Sequence, residues 1–341
     1  MTLSFQKLML TIGVGVTLGV SPLFLSPASA AVSEGSVQTV GLQKKDHATE
    51  TKKARARHAN RRPITWAPAS QATLAGLRDT PDPLFLNSSV ALAVDQDTGE
   101  ELFSKNADIE LPIASVTKLM TALVMAESGL DMNKKVRVTR ADYLRSTARS
   151  KLRNGMVLTR KTALQAALMS SDNRAASVLA RSYPGGKKAF VEKMNETAAR
   201  LGMTESYFAD PAGLNNDNRA TARDLSKLVA AAHEYKIIRE ASTLPAARLR
   251  AGRYALNMHT TNRLIGHPDW QIGVQKTGYT RAAGRCMVVQ SEFADRRVVM
   301  VVLDSPNSSK RAQDMQTMRR YVEEEAGFNE NFSEVNPYEI F

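Results

Sequence analysis

Ser115 and Lys118 stand three residues apart in "LPIASVTKLMTALV" (Leu111–Val124), a stretch otherwise apolar enough to enter a protein core. Three residues of helix rise about 4.5 Å, so an amine there reaches back to a hydroxyl one turn earlier. Burying an ammonium is costly unless it is paired or gives up its proton. A lysine that has given up its proton is a general base, and the hydroxyl beside it becomes a nucleophile. An unperturbed lysine, pKa ~10.4, is neutral about once in 2,500 at pH 7, a penalty of roughly 4.6 kcal/mol. Burial in this apolar helix and a second cation, Lys276, would both lower that pKa. Bringing it down by ~3 removes roughly 4 kcal/mol of the penalty.

Two further motifs follow in order, "SDN" (Ser171–Asn173) and "KTG" (Lys276–Gly278). Singly, such motifs are weak: S-x-x-K also occurs at Ser4–Lys7, and S-x-N at Ser104–Asn106 and Ser305–Asn307. A lone serine at a helix start is an N-cap, and a lone Lys-Thr-Gly is a strand exit with a turn glycine. What distinguishes the set is its order and context. Ser115 opens an apolar helix, Ser171 begins a break between helices, and Lys276 ends a strand-like run.

The elements that must position these residues are legible in outline. Val90, Leu92 and Val94 alternate before "DTG", and Leu102 and Phe103 resume after it, which predicts a hairpin. The Ser115 helix stops at Gly129, a natural residue just past a helix end. A helical middle follows: "RKTALQAALMSSDN", "NRAASVLARSYPGG", "KKAFVEKMNETAARLG" and "TARDLSKLVAAAHEY", the last with Thr221 and Asp224 in capping-box spacing. The loop "YFADPAGLNNDN" lacks the spacing of a calcium loop and is expected to be structural, beneath the site. Strands return in "WQIGVQKTG", "RCMVVQSEF" and "RVVMVVLD". A closing helix over "KRAQDMQTMRRYVEEEA" puts Met315, Met318 and Val322 on one face. The expected fold is α/β (α+β), with one antiparallel sheet formed from both ends of the domain, flanked by helices, and a helical subdomain inserted.

Of the net charge of +12, the run Lys44–Arg62 supplies eight Lys or Arg against two acids, about half the excess. With almost no apolar residues it predicts a disordered linker. Met1–Ala30 reads as an export signal: Lys7, then "LMLTIGVGVTLGV", Pro22 and Pro27, and "ASA" before Ala31. The expected organisation is a signal over 1–30, a basic linker over 31–83, a catalytic domain over 84–325 and a tail over 326–341. Export to the periplasm with no stable transmembrane anchor after cleavage argues against nucleic acid as partner. Cys286 is the only cysteine and the five histidines are scattered, so neither a metal site nor a cofactor is expected.

The triple S-x-x-K, S-x-N, K-T-G is that of penicillin-binding proteins and class A β-lactamases. With "PIASVTKLMTALV", "ALMSSDNRAASVLA", "FVEKMNETAARLGM", "ATARDLSKLV" and "QKTGYTRAAGRC" around it, the chain from Phe85 to Glu325 resembles the D-alanyl-D-alanine carboxypeptidase and endopeptidase family. Within it, the short DD-endopeptidases are the most similar. The resemblance implies a serine β-lactamase/DD-peptidase-like fold. It also implies hydrolysis of D-alanine-containing peptide bonds in peptidoglycan stems and cross-links, through an acyl-enzyme on Ser115 that β-lactams also form.

In that scheme Lys118 is the base, Ser171 relays a proton to the leaving amine, and Asn173 orients Lys118 and binds a substrate amide. Lys276 adds positive potential, while Thr277 and Gly278 offer a strand edge for a peptide to pair with. By resemblance, the Tyr279 N–H joins that of Ser115 as oxyanion donor. Thr277 or Thr280 receives the terminal carboxylate, with Arg281 and Arg285 as further candidates. Only "GFNENFSEVNPYEIF" follows the last helix, where longer family members carry a β-domain and an anchor, which favours the endopeptidase. The alternative is a carboxypeptidase acting on pentapeptide stems. A β-lactamase is disfavoured, because the loop before the third motif offers Asp210 and Asp217 but no recognisable deacylation glutamate; Glu192 and Glu196 fall on a helix. A non-catalytic wall-binding protein is disfavoured by the complete triple.

Overall fold

Val298–Leu303 is apolar at every position because the strand it forms is buried on both faces. In the computed structural model, which describes residues 69–146 and 148–333, this strand, β11 (Arg296–Ser305), is the middle of a five-stranded sheet. β1 (Val90–Asp95) and β2 (Glu101–Lys105) form the predicted hairpin on one side. β10 (Gly284–Phe293) and β9 (Gln271–Thr280) complete the sheet on the other, in the order β2-β1-β11-β10-β9. All its pairings are antiparallel. Leu92 faces Val301 across the β1–β11 seam, so the two ends of the domain are zipped together directly.

The period-2 alternation of strand side chains divides the interior into two cores. Val299, Val301 and Leu303 face one, and Val298, Met300 and Val302 face the other. The second is covered by the closing helix α8 (Ser308–Ser333), through Met315, Met318 and Val322. The first is covered by α6 (Ala222–His233), which crosses β1, β9, β10 and β11. Beyond α6 lie α2 (Lys118–Glu127), α3 (Arg160–Met169), α4 (Asn173–Arg181), α5 (Gly186–Arg200) and α7 (Lys236–Thr243). These are the inserted helical layer.

Ordered packing begins before the expected boundary at 84. α1 (Gln71–Leu74) and the turn Leu77–Asp79 are tied to the sheet through Asp304, which accepts from Thr73 Oγ1 at 2.8 Å and from Arg78 at 2.9 Å. The charge and proline that predict a linker here pair with a buried carboxylate 226 residues away, a partner no local pattern reveals. The last helix likewise runs on to Ser333, past the expected end at 325. The expected signal, the linker up to residue 68 and the tail from residue 334 lie outside the described residues.

Besides α1, helix α7 and six short strands were not anticipated. β4 (Lys135–Arg137) pairs with β5 (Val157–Thr159), and β7 (Ala246–Ala251) with β8 (Tyr254–His259). In β7, Leu249 and Ala251 point inward between solvent-facing arginines, too few apolar residues to signal a strand. Helix α7 has eight residues and no side-chain N-cap. The two-residue pair β3 (Leu111–Pro112) and β6 (Arg219–Ala220) joins the Ser115 segment to the Asp210 loop.

Candidate active site

Ser115 lies within a tight 3-10 turn, Ala114–Thr117, and the α-helix proper begins at Lys118. The turn starts with Ala114 at φ +48°, a left-handed conformation that costs a non-glycine residue energy. Two contacts hold it there. Thr117 Oγ1 donates to the Ala114 carbonyl at 2.8 Å. Gly213 packs so closely that a Cβ on it would sit 1.8 Å from the same carbonyl oxygen.

Lys118 is completely buried, and its Nζ has three oxygens around it. Ser115 Oγ is at 2.8 Å, Asn173 Oδ1 at 2.7 Å and the Ala212 carbonyl at 2.7 Å. A neutral amine keeps two donors and a lone pair. With the donors spent on Asn173 and Ala212, the lone pair faces the Ser115 hydroxyl, which then donates to it. Burial lowers the pKa of this amine to about 7, against the opposing pull of the Asp210 and Asp172 carboxylates.

Ala212 is fixed by Asp210, whose carboxylate accepts from the backbone N–H groups of Ala212, Gly213, Leu214 and Asn215 and from Asn218 Nδ2. The loop is therefore structural, as expected, and it also presents one acceptor to Lys118. Met120, Met125 and Met169 are buried filler of the first core.

Ser171 is a second non-glycine residue in the left-handed region, at φ +56°. The next residue, Asp172, caps α4 by accepting from the Ala175 N–H at 3.0 Å, and also accepts from Ser150. The cap places Ser171 before the helix and Asn173 on its first turn. Lys276 Nζ donates to Ser171 Oγ at 3.0 Å and to the Thr277 carbonyl at 2.7 Å. The described hydrogen bonds thus form two pairs, Ser115 with Lys118 and Ser171 with Lys276.

Two sequence expectations change here. Lys276 does not end its strand: β9 continues to Thr280, with Gly278 opposite Cys286. Gly278 serves close approach, since a Cβ there would lie 2.9 Å from the Ile113 carbonyl and 3.1 Å from the Ser115 nitrogen. The free edge of β9 therefore runs against the Ser115 turn. Second, burial is the leading cause of the lowered Lys118 pKa, and Lys276 is itself pushed well down by burial, by Lys118 and by Arg311.

The remaining predicted residues line one cleft of about 590 Å³ with Ser115, Ser171 and Asn173. Thr277 Oγ1 lies 2.6 Å from Thr261 Oγ1. Thr280 is committed locally, accepting from the Ala283 N–H at 3.1 Å. Tyr279 is exposed, with the Arg285 guanidinium 4.4 Å from its ring centre. Arg281 also lines the cleft, and none of the described lining residues is Asp or Glu.

Sequence reasoning missed Ser146, which accepts from Asn173 Nδ2 at 3.1 Å, and Thr261. It also missed Arg311. That side chain is 5% exposed, donates to the Cys286 carbonyl at 3.1 Å, and has a buried Nε without a partner among the described residues. Burial lowers its pKa only to about 10, so it remains a cation at neutral pH. In "SSKRAQDM" it reads as one more charge on a surface helix, and no motif flags it.

Comparison with known proteins gives a consistent picture. The family profile described as D-alanyl-D-alanine carboxypeptidase matches residues 78–307. A D-alanyl-D-alanine endopeptidase of Pseudomonas aeruginosa is 40% identical over 242 residues, covering 70% of this chain and 78% of that protein. Its Escherichia coli namesake is 36% identical over 264 residues, covering 76% and 84%. Among solved structures, penicillin-binding protein D2 of Listeria monocytogenes in its ampicillin-bound form superposes with a TM-score of 0.62 at 27% identity. That match covers 71% of this chain and 99% of the other.

Proposed function

The chain belongs to the D-alanyl-D-alanine carboxypeptidase family of serine DD-peptidases, and from that premise we propose that it is an endopeptidase that cuts D-alanine-containing cross-links in peptidoglycan. The observation that carries the chemistry is the buried Lys118 amine, 2.8 Å from Ser115 Oγ and tethered by two further acceptors.

The peptide to be cut lies along the free edge of β9, with its carbonyl between the Ser115 and Tyr279 N–H groups. Ser115 Oγ attacks the carbonyl carbon while its proton passes to Lys118 Nζ. The C–N bond then breaks, and the leaving amine takes up that proton from Lys118 by way of Ser171, which Lys276 holds in place, so that Lys118 is neutral again for the water. Water next attacks the Ser115 ester, giving a new carboxylate and restoring the hydroxyl. Thr277 and Arg311 receive the carboxylate of the departing residue, Arg311 as the buried cation of the cleft lining, with no salt-bridge partner among the described residues. β-Lactams acylate Ser115 by the same first step, in line with the ampicillin-bound relative. The lack of a carboxylate among the described cleft-lining residues supports slow release of the penicilloyl group.

Two endopeptidase-named relatives at 36–40% identity favour cross-links over pentapeptide stems. Export belongs to the same proposal: "ASA" before Ala31 offers cleavage, and no described helix is long and apolar enough to cross a membrane. The deciding experiment digests purified cross-linked muropeptides and weighs the products. Loss of dimers supports the endopeptidase. Loss of a single alanine from pentapeptides, with dimers untouched, would make it a carboxypeptidase, and fast penicillin turnover would make it a β-lactamase. Ser115→Ala should abolish both cleavage and covalent β-lactam labelling.

A further inference from the structure

One wall of the cleft carries far more positive charge than its chemistry requires. Residues 134–161 contain ten Lys or Arg and a single acid, Asp142, and residues 246–267 contain four Arg and no acid. The fold brings these two segments together. β5 packs against β7, and Lys151 Nζ donates to the carbonyl of Asn257, the residue paired with Arg248 across the hairpin. Arg248 and Arg250 share the solvent face of β7, with Leu249 turned inward between them. Arg149, Lys151, Arg248 and Arg250 are all exposed, and among the described residues none lies in a salt bridge.

The Arg149–Lys151 end of this rim borders the reaction centre. Arg149, Lys151 and His259 line a pocket of about 240 Å³ that shares Ser170, Ser171 and Asn173 with the main cleft. Ser170 Oγ donates to the His259 carbonyl at 2.9 Å and so fastens the hairpin beside the second motif. A molecule seated in the cleft can continue into this pocket without leaving the protein surface. Unpaired exposed cations at the mouth of a cleft concentrate ligands of opposite sign and speed their arrival.

We propose that the rim formed by Arg149, Lys151, Arg248 and Arg250 is a second binding surface, which holds the free carboxylates of an acidic peptide continuous with the one being cut. This rests on the peptidase reading above and names what else the substrate must carry: carboxylates outside the scissile bond, on the same stem. The rim sets affinity and leaves the bond-breaking step alone.

The test compares wild type with Arg149→Glu/Arg248→Glu and, separately, with Lys151→Gln. The substrates are a cross-linked muropeptide with free carboxylates and the same compound with those groups amidated. For the free acid, the double variant should raise KM about tenfold at ~20 mM salt with kcat unchanged, and the gap should close towards ~0.5 M salt as screening sets in. Lys151→Gln should show a smaller shift in the same direction. The amidated substrate should not distinguish the proteins, and β-lactam acylation should be equal in all of them. An unchanged KM for the free acid overturns the proposal, as does an equal loss on both substrates. Loss of binding to phosphatidylglycerol vesicles with muropeptide KM unmoved would make the rim a membrane surface and overturn it too. If no protein cleaves the muropeptide although all are acylated, the peptidase reading fails by itself. Binding of the two muropeptides to Ser115→Ala, with and without the rim changes, then still decides the rim.

Discussion

Lys105 and Lys118 are both buried, at 4% and 0% exposure, and their surroundings differ in one respect. Lys105 Nζ meets the Asp82 carboxylate at 2.8 Å, itself buried. Lys118 Nζ meets a hydroxyl, an amide oxygen and a backbone carbonyl, all formally neutral. A buried cation beside a buried anion is a structural pair, and removing either partner strands the other. A buried amine touched only by neutral oxygens has no counter-charge in contact, so desolvation outweighs the more distant Asp210 and Asp172 carboxylates and lowers its pKa. Burial alone therefore does not mark a functional lysine. The absence of a carboxylate in contact does.

The largest effect that follows is on Lys118. Lys118→Arg keeps a cation of similar reach but removes any side chain able to lose its proton near neutral pH. Acylation of Ser115 by a β-lactam should fall by about 10³-fold or more, the upper range for loss of a general base. The thermal midpoint should stay close to that of wild type. Near-normal acylation in this variant would mean that the lysine serves only as a positive charge, and the contrast with Lys105 would dissolve.

Lys105→Met should do the reverse. It leaves Asp82 buried without its counter-charge, at a cost of roughly 3 kcal/mol in denaturant unfolding, while acylation per folded molecule is unchanged. The ion pair anchors residues 82–86, since Asp82 also accepts from the Leu84 and Leu86 N–H groups. Loss of acylation with no loss of stability would place Lys105 in the chemistry after all.

How much of this contrast the sequence reveals depends on the range of the interaction. Ser115 and Lys118 are neighbours on one turn, so their meeting is legible from spacing. The sheet is legible because β1, β10 and β11 are long and apolar. Lys105 pairs with a residue 23 positions away, and neither residue belongs to a motif. Ala212 is invisible for a further reason: a backbone carbonyl contributes the contact, and any residue type could have supplied it. Arg311 escaped because a charge near a helix start is ordinary, and only the folded sheet shows it buried beside the cleft.

The next effect is a shift in a pH profile. In the proposed mechanism Lys118 is the base when neutral, so acylation should lose about tenfold per pH unit below its pKa of about 7. The Asp210 charge raises that pKa. Asp210→Asn keeps an acceptor for the loop N–H groups but removes the charge, which should move the acid limb to lower pH. An upward shift would mean that the loop has opened and let water reach Lys118, the lost desolvation then outweighing the lost charge.

The smallest effect on acylation concerns Cys286, the third buried titratable group in the comparison. The same desolvation acts on it, pushing the thiol up to about 12. In both residues burial favours the uncharged form, but the consequences are opposite: a neutral amine is a base, and a neutral thiol is a poor nucleophile. Relative to a free thiol near pKa 8.5, the thiolate fraction at pH 7.5 falls about 10³-fold. Iodoacetamide should therefore label the native protein at least that much more slowly than the unfolded chain, with no loss of acylation during the exposure. Rapid labelling of folded protein would show that the sheet opens at β10, which lies directly beside the strand bearing Lys276. The dry environment required by Lys118 would then have to be maintained by the helices alone.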